Sequence, residues 1–223
     1  VVVTDVGAGH APPVVLVHGI GTSGRYYRAL TAEPARDHRV LVPDLPGFGR
    51  SPRPARVPAV EDLAEVVLAV LRHRGLAGAV LVGHSMGAQV VAEAMLRDPG
   101  AVRRAVLVGP VVDPSGATVA QQALRLARDG RHEPAGVNAV VATDYLRAGP
   151  RWYSAVLPHM FAYDTAAAVA RLPGPVVVAS REWVRRLADL APSGTAREVP
   201  RAGHVAMATH APLVARWVRE DPS

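Results

Sequence analysis

The stretch Val80-Leu81-Val82-Gly83-His84-Ser85-Met86-Gly87-Ala88-Gln89-Val90-Val91 decides how this chain is read. An apolar, β-branched run stops at a Gly-x-Ser-x-Gly pentapeptide, and a helix-forming segment begins at once. That order predicts a strand, a sharp turn and a helix, with the serine hydroxyl lifted out at the edge of the sheet. Any side chain at Gly83 or Gly87 would press on neighbouring backbone. Ser85, at the start of the helix, meets the positive end of the helix dipole and its free amides, which favour a developing oxyanion. Ser85 is therefore a candidate nucleophile. A glycine-flanked serine that merely caps a helix is the other reading of the same five residues.

Outward from this turn, strand and helix patterns alternate, as in an α/β domain with a largely parallel sheet. Residues 1–6 read as an edge strand and 14–18 as a buried strand entering the turn Gly19-Ile20-Gly21. A helix is expected over 26–36, a strand over 40–44 and an amphipathic helix over 60–74, with Leu63, Val66, Val67, Val70 and Leu71 on its apolar face. The helix after Ser85 runs to about Arg97, where Asp98-Pro99-Gly100 stops it. Strands follow over 104–108, 176–179 and 196–199, with helices over 183–190 and 210–219. Between Val111 and Leu172 no strand pattern appears, only two or three helical segments carrying Tyr145, Trp152, Tyr153, Phe161 and Tyr163. Residues 111–172 are thus expected to form a helical cap over the carboxyl edge of the sheet, on a core of residues 1–110 and 173–223. For most of these aromatics, packing the cap onto the body is a sufficient role.

The 223 residues fit one domain with a sizeable core, nearly half of them hydrophobic. No apolar run reaches the roughly 20 residues needed to span a bilayer. The first residues show no basic segment followed by an apolar core and cleavage site. Cysteine is absent, which excludes disulfides and thiolate metal sites and fits the expected reducing cytoplasm. The net charge of +6 comes from 25 arginines scattered along a chain without lysine. With no basic stripe or recognition motif, a nucleic-acid partner is not expected, nor is a membrane.

A serine alcohol attacks only when a base takes its proton and donors stabilise the oxyanion. The candidate base is His204, in Pro200-Arg201-Ala202-Gly203-His204, where a loop after the last strand lets a side chain swing over the sheet edge. His84 lies in the turn itself, His18 in the first glycine turn, and His38, His73, His132 and His210 fall in polar surroundings where solvation is expected. The backbone amides of Met86, after the serine, and of Ile20, after His18-Gly19, are the candidate oxyanion donors by placement alone. No three-ligand metal pattern is legible, and neither metal nor cofactor is expected.

Four motifs now stand in order: His18-Gly19-Ile20-Gly21, Asp44-Leu45-Pro46-Gly47-Phe48-Gly49-Arg50-Ser51, Gly83-His84-Ser85-Met86-Gly87 and Gly203-His204. Together they resemble the α/β-hydrolase superfamily, its small capped esterase, C–C-hydrolase and haloperoxidase-like branch, over residues 14–219. The resemblance implies a mostly parallel sheet flanked by helices under a small helical cap, and a structural Asp44 that shapes a loop near the pocket. It also implies an acid after the next-to-last strand. Here that strand runs through Ser180-Arg181-Glu182 almost directly into a helix, without an aspartate. Three accounts stand. The acid is Asp113, one strand earlier, where Asp-Pro equally reads as a turn opener; or it is Glu182; or an acid loop is missing from a sequence that begins at Val1.

What the resemblance implies chemically is a cofactor-independent serine hydrolase acting on an ester, thioester or activated carbonyl of a small-molecule substrate. Trp152, Met160 and Phe161 of the cap point to an apolar substrate. Arg147 and Arg151 could pair a substrate carboxylate, but as arginines in a basic chain they are read as solvated. The alternative is a non-hydrolytic ligand-binding or cyclase-like protein on the same scaffold. Serine rather than aspartate at the turn argues against haloalkane dehalogenase or epoxide hydrolase chemistry.

Overall fold

Runs of Val, Leu and Ala with no polar alternation can be buried only if both faces of the sheet are covered. That is the arrangement found in the computed structural model of the chain, which describes residues 1–110, 135–179, 183–199 and 205–220. The strands are β1 (Val3–Val6), β2 (Ala11–Val17), β3 (His38–Pro43), β4 (Ala79–His84), β5 (Val102–Val108), β6 (Val176–Ala179) and β7 (Gly194–Arg197). They form one sheet in the order β1-β3-β2-β4-β5-β6-β7. Only β1, at the edge, runs antiparallel to its neighbour.

Period-two alternation divides the strand side chains between two cores. Val15, Val17, Leu41, Leu81, Ala105 and Leu107 face one, together with Leu63, Val67 and Leu71 of helix α2 (Val60–His73) and Val90, Val91 and Met95 of helix α3 (Met86–Arg97). Val14, Leu16, Val40, Val42, Val80, Val82 and Val106 face the other, against helix α1 (Arg28–Ala32) and the C-terminal helix (Ala211–Arg219). Each fully buried valine or leucine stabilises the fold by about 1.5–3 kcal/mol relative to exposure. Among the described residues, three helices stand between β5 and β6: α4 (Ala135–Ala148), α5 (Pro150–Ala162) and α6 (Thr165–Val169). They are the described part of the expected cap. No helix among the described residues is long and apolar enough to cross a membrane.

Three expectations change. The helix expected over 26–36 is broken into a 3-10 turn (Gly24–Tyr27), α1 and a second 3-10 turn (Pro34–Arg36). Ser23 caps the first turn by accepting from the Arg25 amide, and Pro34, without an N–H, ends α1. The last strand lies at Gly194–Arg197 rather than 196–199, because it pairs with β6 from Val176↔Gly194 to Ala179↔Arg197. His38 is buried rather than solvated: it opens β3, and its ring donates through Nδ1 to the Pro12 carbonyl at 2.7 Å.

The strand order places the site. From β2 the chain moves to β3 on one side, then returns to β4 on the other. The carboxyl ends of β2 and β4 therefore lie side by side at the switch point, with Val17 opposite Gly83. In open α/β sheets this crevice is where ligands bind.

Candidate active site

Ser85 occupies that crevice between β4 and α3. Its φ of 56° and ψ of −122° make it the one non-glycine residue with positive φ among those described. Such backbone costs on the order of 1–3 kcal/mol and persists only where surroundings enforce it. The enforcement is visible. The Ser85 amide donates to the Val108 carbonyl at 3.0 Å, and its carbonyl accepts from the Ala88 amide at 2.9 Å. A Cβ on Gly83 would lie 2.2 Å from the Gly87 carbonyl oxygen, and one on Gly87 would lie 2.1 Å from the Val17 carbonyl oxygen. Both glycines are thus required by close packing, as the sequence indicates. Met86 opens α3, so its amide has no acceptor one turn earlier within the helix.

The loop after β2 faces Ser85 directly: a Cβ on Gly19 would lie 3.1 Å from the Ser85 Cβ. Its shape is held from below by His18. The Leu45 amide donates to His18 Nε2 at 2.8 Å, so that nitrogen carries the lone pair. The proton then sits on Nδ1, which donates to the Gly19 carbonyl at 2.8 Å. Thr22 Oγ1 donates to the same carbonyl at 2.9 Å. In a trans peptide the C=O and the next N–H point opposite ways, so fixing the Gly19 oxygen fixes the Ile20 amide.

Burial pushes the His18 imidazole below the ordinary histidine pKa, outweighing the Gly19 hydrogen bond and the nearby Asp44 and Asp144 charges. With the folded pKa depressed, the unfolded chain binds a proton that the folded chain does not. Stability is therefore expected to fall as pH drops below about 6.5. Urea midpoints across pH 7 to 5 check this, and His18→Gln should flatten that slope while lowering stability at pH 7.

Asp44 bears the structural role expected of it. Its Oδ1 accepts from the Gly24 amide at 2.9 Å and its Oδ2 from the Arg50 amide at 3.0 Å and Nε at 3.2 Å.

The cap is joined to this loop by a cluster that no sequence pattern signalled. Buried Asp144 of α4 accepts from the Ser23 hydroxyl at 2.5 Å through Oδ2 and pairs with Arg25 at 3.0 Å through Oδ1. Asp144→Ala is expected to lower stability by about 1–3 kcal/mol in urea unfolding, chiefly because the buried Ser23 hydroxyl loses its acceptor. The Arg25 arm, partly in water, adds little to that. A second tether runs from α3, where Gln89 Nε2 donates to the Met160 carbonyl and to Thr165 Oγ1, each at 3.0 Å.

Of the three cap residues singled out for a substrate pocket, Trp152 and Met160 are buried in the core that joins cap to body, and Phe161 packs against it. The Trp152 ring lies over Gly47 and 6.4 Å from Phe48, with Arg53 above it. The cap aromatics nearest the Ile20 loop are instead Tyr145 and Tyr153, both within about 3.1 Å of a Cβ built on Gly21. Burial raises the pKa of both phenols. Arg147 and Arg151 are exposed. Asp113, Glu182 and His204 lie outside the described residues. Among the described residues no three His, Cys, Asp or Glu side chains gather to hold a metal ion.

This geometry agrees with what the chain is similar to. A protein named as the magnesium-chelatase 30 kDa subunit of Rhodobacter capsulatus is 33% identical over 112 residues, 50% of this chain and 39% of that protein. The 2-hydroxy-6-oxo-2,4-heptadienoate hydrolase of Pseudomonas putida is 40% identical over 111 residues, 48% of this chain and 40% of that protein. These matches span about two fifths of the relatives' length. The enol-lactonase of Burkholderia xenovorans LB400 superposes with a TM-score of 0.83 over 98% of this chain and 94% of its own, at 21% identity, a likeness of fold. The sequence model of the alpha/beta hydrolase fold family matches residues 12–156, and so the chain belongs to that family.

Proposed function

We infer that this chain is a serine hydrolase acting on an ester, thioester or activated carbonyl of a small, largely apolar substrate. The observation that carries the reading is the strained Ser85 backbone at the β4–α3 junction, set against the Gly19-Ile20 loop. Strain kept at a switch-point crevice is what a presented nucleophile needs.

In this reading Ser85 Oγ bonds to the substrate carbonyl carbon while His204 takes the hydroxyl proton. The Ile20 and Met86 amides receive the oxyanion. The tetrahedral intermediate collapses, the bond to the leaving group breaks, and His204 returns the proton to that group. Water then attacks the acyl carbon while His204 takes its proton; the bond to Ser85 Oγ breaks, and His204 returns the proton to that oxygen, releasing the acid and free Ser85. Asp113 or Glu182 orients His204. Tyr145 and Tyr153 of the cap pack beside Gly21 and would border the acyl group on that side.

A second reading, non-hydrolytic ligand binding on the same scaffold, is favoured by the similarity to a protein named as a chelatase subunit. Intact-mass labelling with a fluorophosphonate separates the two. A single adduct on the parent chain that is absent from Ser85→Ala supports the hydrolase. A folded parent that takes up no label sinks it, and ligand binding becomes the better account.

A further inference from the structure

We propose that Tyr26 is a positioning residue that locks the oxyanion loop and the nucleophile turn together through one hydroxyl oxygen, a role that rests on the serine-hydrolase reading above. The Tyr26 Oη accepts from the Gly19 amide at 3.0 Å and lies 2.9 Å from His84 Nδ1. Gly19 and His84 belong to different loops, after β2 and at the end of β4, and each directly precedes a residue of the proposed chemistry: Ile20 in one, Ser85 in the other. Since an amide can only donate, the hydroxyl accepts from Gly19 through a lone pair, and its second contact is to His84 Nδ1.

The ring is as firmly placed as the oxygen. Tyr26 is 5% exposed, stacks on Tyr27 at 4.6 Å between centroids, and meets the His84 ring edge-on at 5.6 Å. Tyr27 in turn donates to the Val17 carbonyl at 2.9 Å, at the end of β2. Burial raises the Tyr26 phenol pKa far above its ordinary value, so the group stays a neutral donor and acceptor at any working pH.

Both peptide planes flanking Gly19 are thereby fixed by side chains. Tyr26 holds the plane before it through the Gly19 N–H, while His18 and Thr22 hold the plane after it through the Gly19 carbonyl. Ile20 cannot turn its amide without breaking one of these bonds. The same phenol keeps His84, and with it Ser85, at a set distance from that amide. Oxyanion donors act only when aimed at where charge will develop, so a loop freed to rock loses transition-state binding more than substrate binding.

Tyr26→Phe tests this, because it keeps both ring contacts and removes only the hydroxyl. Expected results are a kcat lower by about ten- to a hundredfold on an ester substrate, KM within about twofold, and a matching fall in the fluorophosphonate labelling rate. Faster hydrogen exchange at the Gly19 amide should accompany them. Thr22→Val, which removes one of the two side-chain donors to the Gly19 carbonyl and leaves His18, should shift kcat in the same direction, and it carries the test if Tyr26→Phe does not fold. A parent labelled at Ser85 with unchanged kcat in the variants, or a change confined to KM, overturns the Tyr26 role alone. A folded parent that is never labelled overturns the hydrolase reading and the positioning role with it.

Discussion

On the proposed serine-hydrolase reading, Ser85→Ala is expected to lower kcat/KM on an ester substrate by a factor on the order of 10⁴–10⁶, since that reading routes the reaction through an acyl-enzyme that cannot form without the hydroxyl. Initial rates on a fluorogenic ester, with intact-mass spectrometry to confirm the absence of adduct, check this. The backbone at that position adds a second arm. Ser85 holds φ 56° and ψ −122°, which a Cβ tolerates poorly. Alanine keeps the Cβ and the strain, whereas glycine relieves it. Relief on the order of 1–3 kcal/mol exceeds the extra unfolded-state freedom of glycine, roughly 0.5–1 kcal/mol. Ser85→Gly is therefore expected to unfold at higher urea than Ser85→Ala, by about 1 kcal/mol, with both inactive. Equal stabilities would mean that the turn is not strained.

Gly87→Ala is expected to be severely destabilising. The new methyl would sit 2.1 Å from the Val17 carbonyl oxygen and 2.8 Å from that of His18. Both are backbone atoms of β2 or its continuation, so no rotamer change relieves the clash. Helix α3 must move off the sheet, which opens contacts made by Met86, Val90 and Val91 in a close-packed core. A loss of more than about 3 kcal/mol is expected, seen as insoluble or unfolded protein. Gly136→Ala is the control. Gly136 lies in α4, and among the described residues no atom outside its own helix backbone comes within 4 Å of the built Cβ, so alanine should raise stability by up to about 1 kcal/mol through helix propensity. Circular dichroism during urea titration reads both.

Legibility in the sequence followed the range of the physics. The runs at 14–17, 40–43, 80–83 and 105–108 fell in strands of one sheet because a chain buried on both faces needs unbroken apolar residues, a requirement met within a few positions. The three-to-four spacing of Leu63, Val67, Val70 and Leu71 became α2 for the same reason. Where the local pattern misled, either punctuation along the chain or a partner strand was responsible. Residues 26–36 carry helical spacing, yet Ser23 and Pro34 punctuate them, and β7 takes its bounds from β6 rather than from its own composition.

The Gly-x-Ser-x-Gly turn announced its own sterics: two glycines that admit no Cβ and one serine in a conformation that side chains resist, all within five residues. Nothing of that kind marked Tyr26, Asp144 or Gln89. Tyr26 meets His84 across 58 positions, Gln89 meets Met160 across 71, and Asp144 meets Ser23 across 121. A tyrosine, an aspartate and a glutamine at such separations are ordinary residues until the sheet order brings their loops to one crevice. Backbone sterics and hydrophobic period act between near neighbours along the chain, so they are written in its order. The hydrogen bonds that aim the Gly19-Ile20 loop, and those that fasten the cap, arise only when the fold closes those distances.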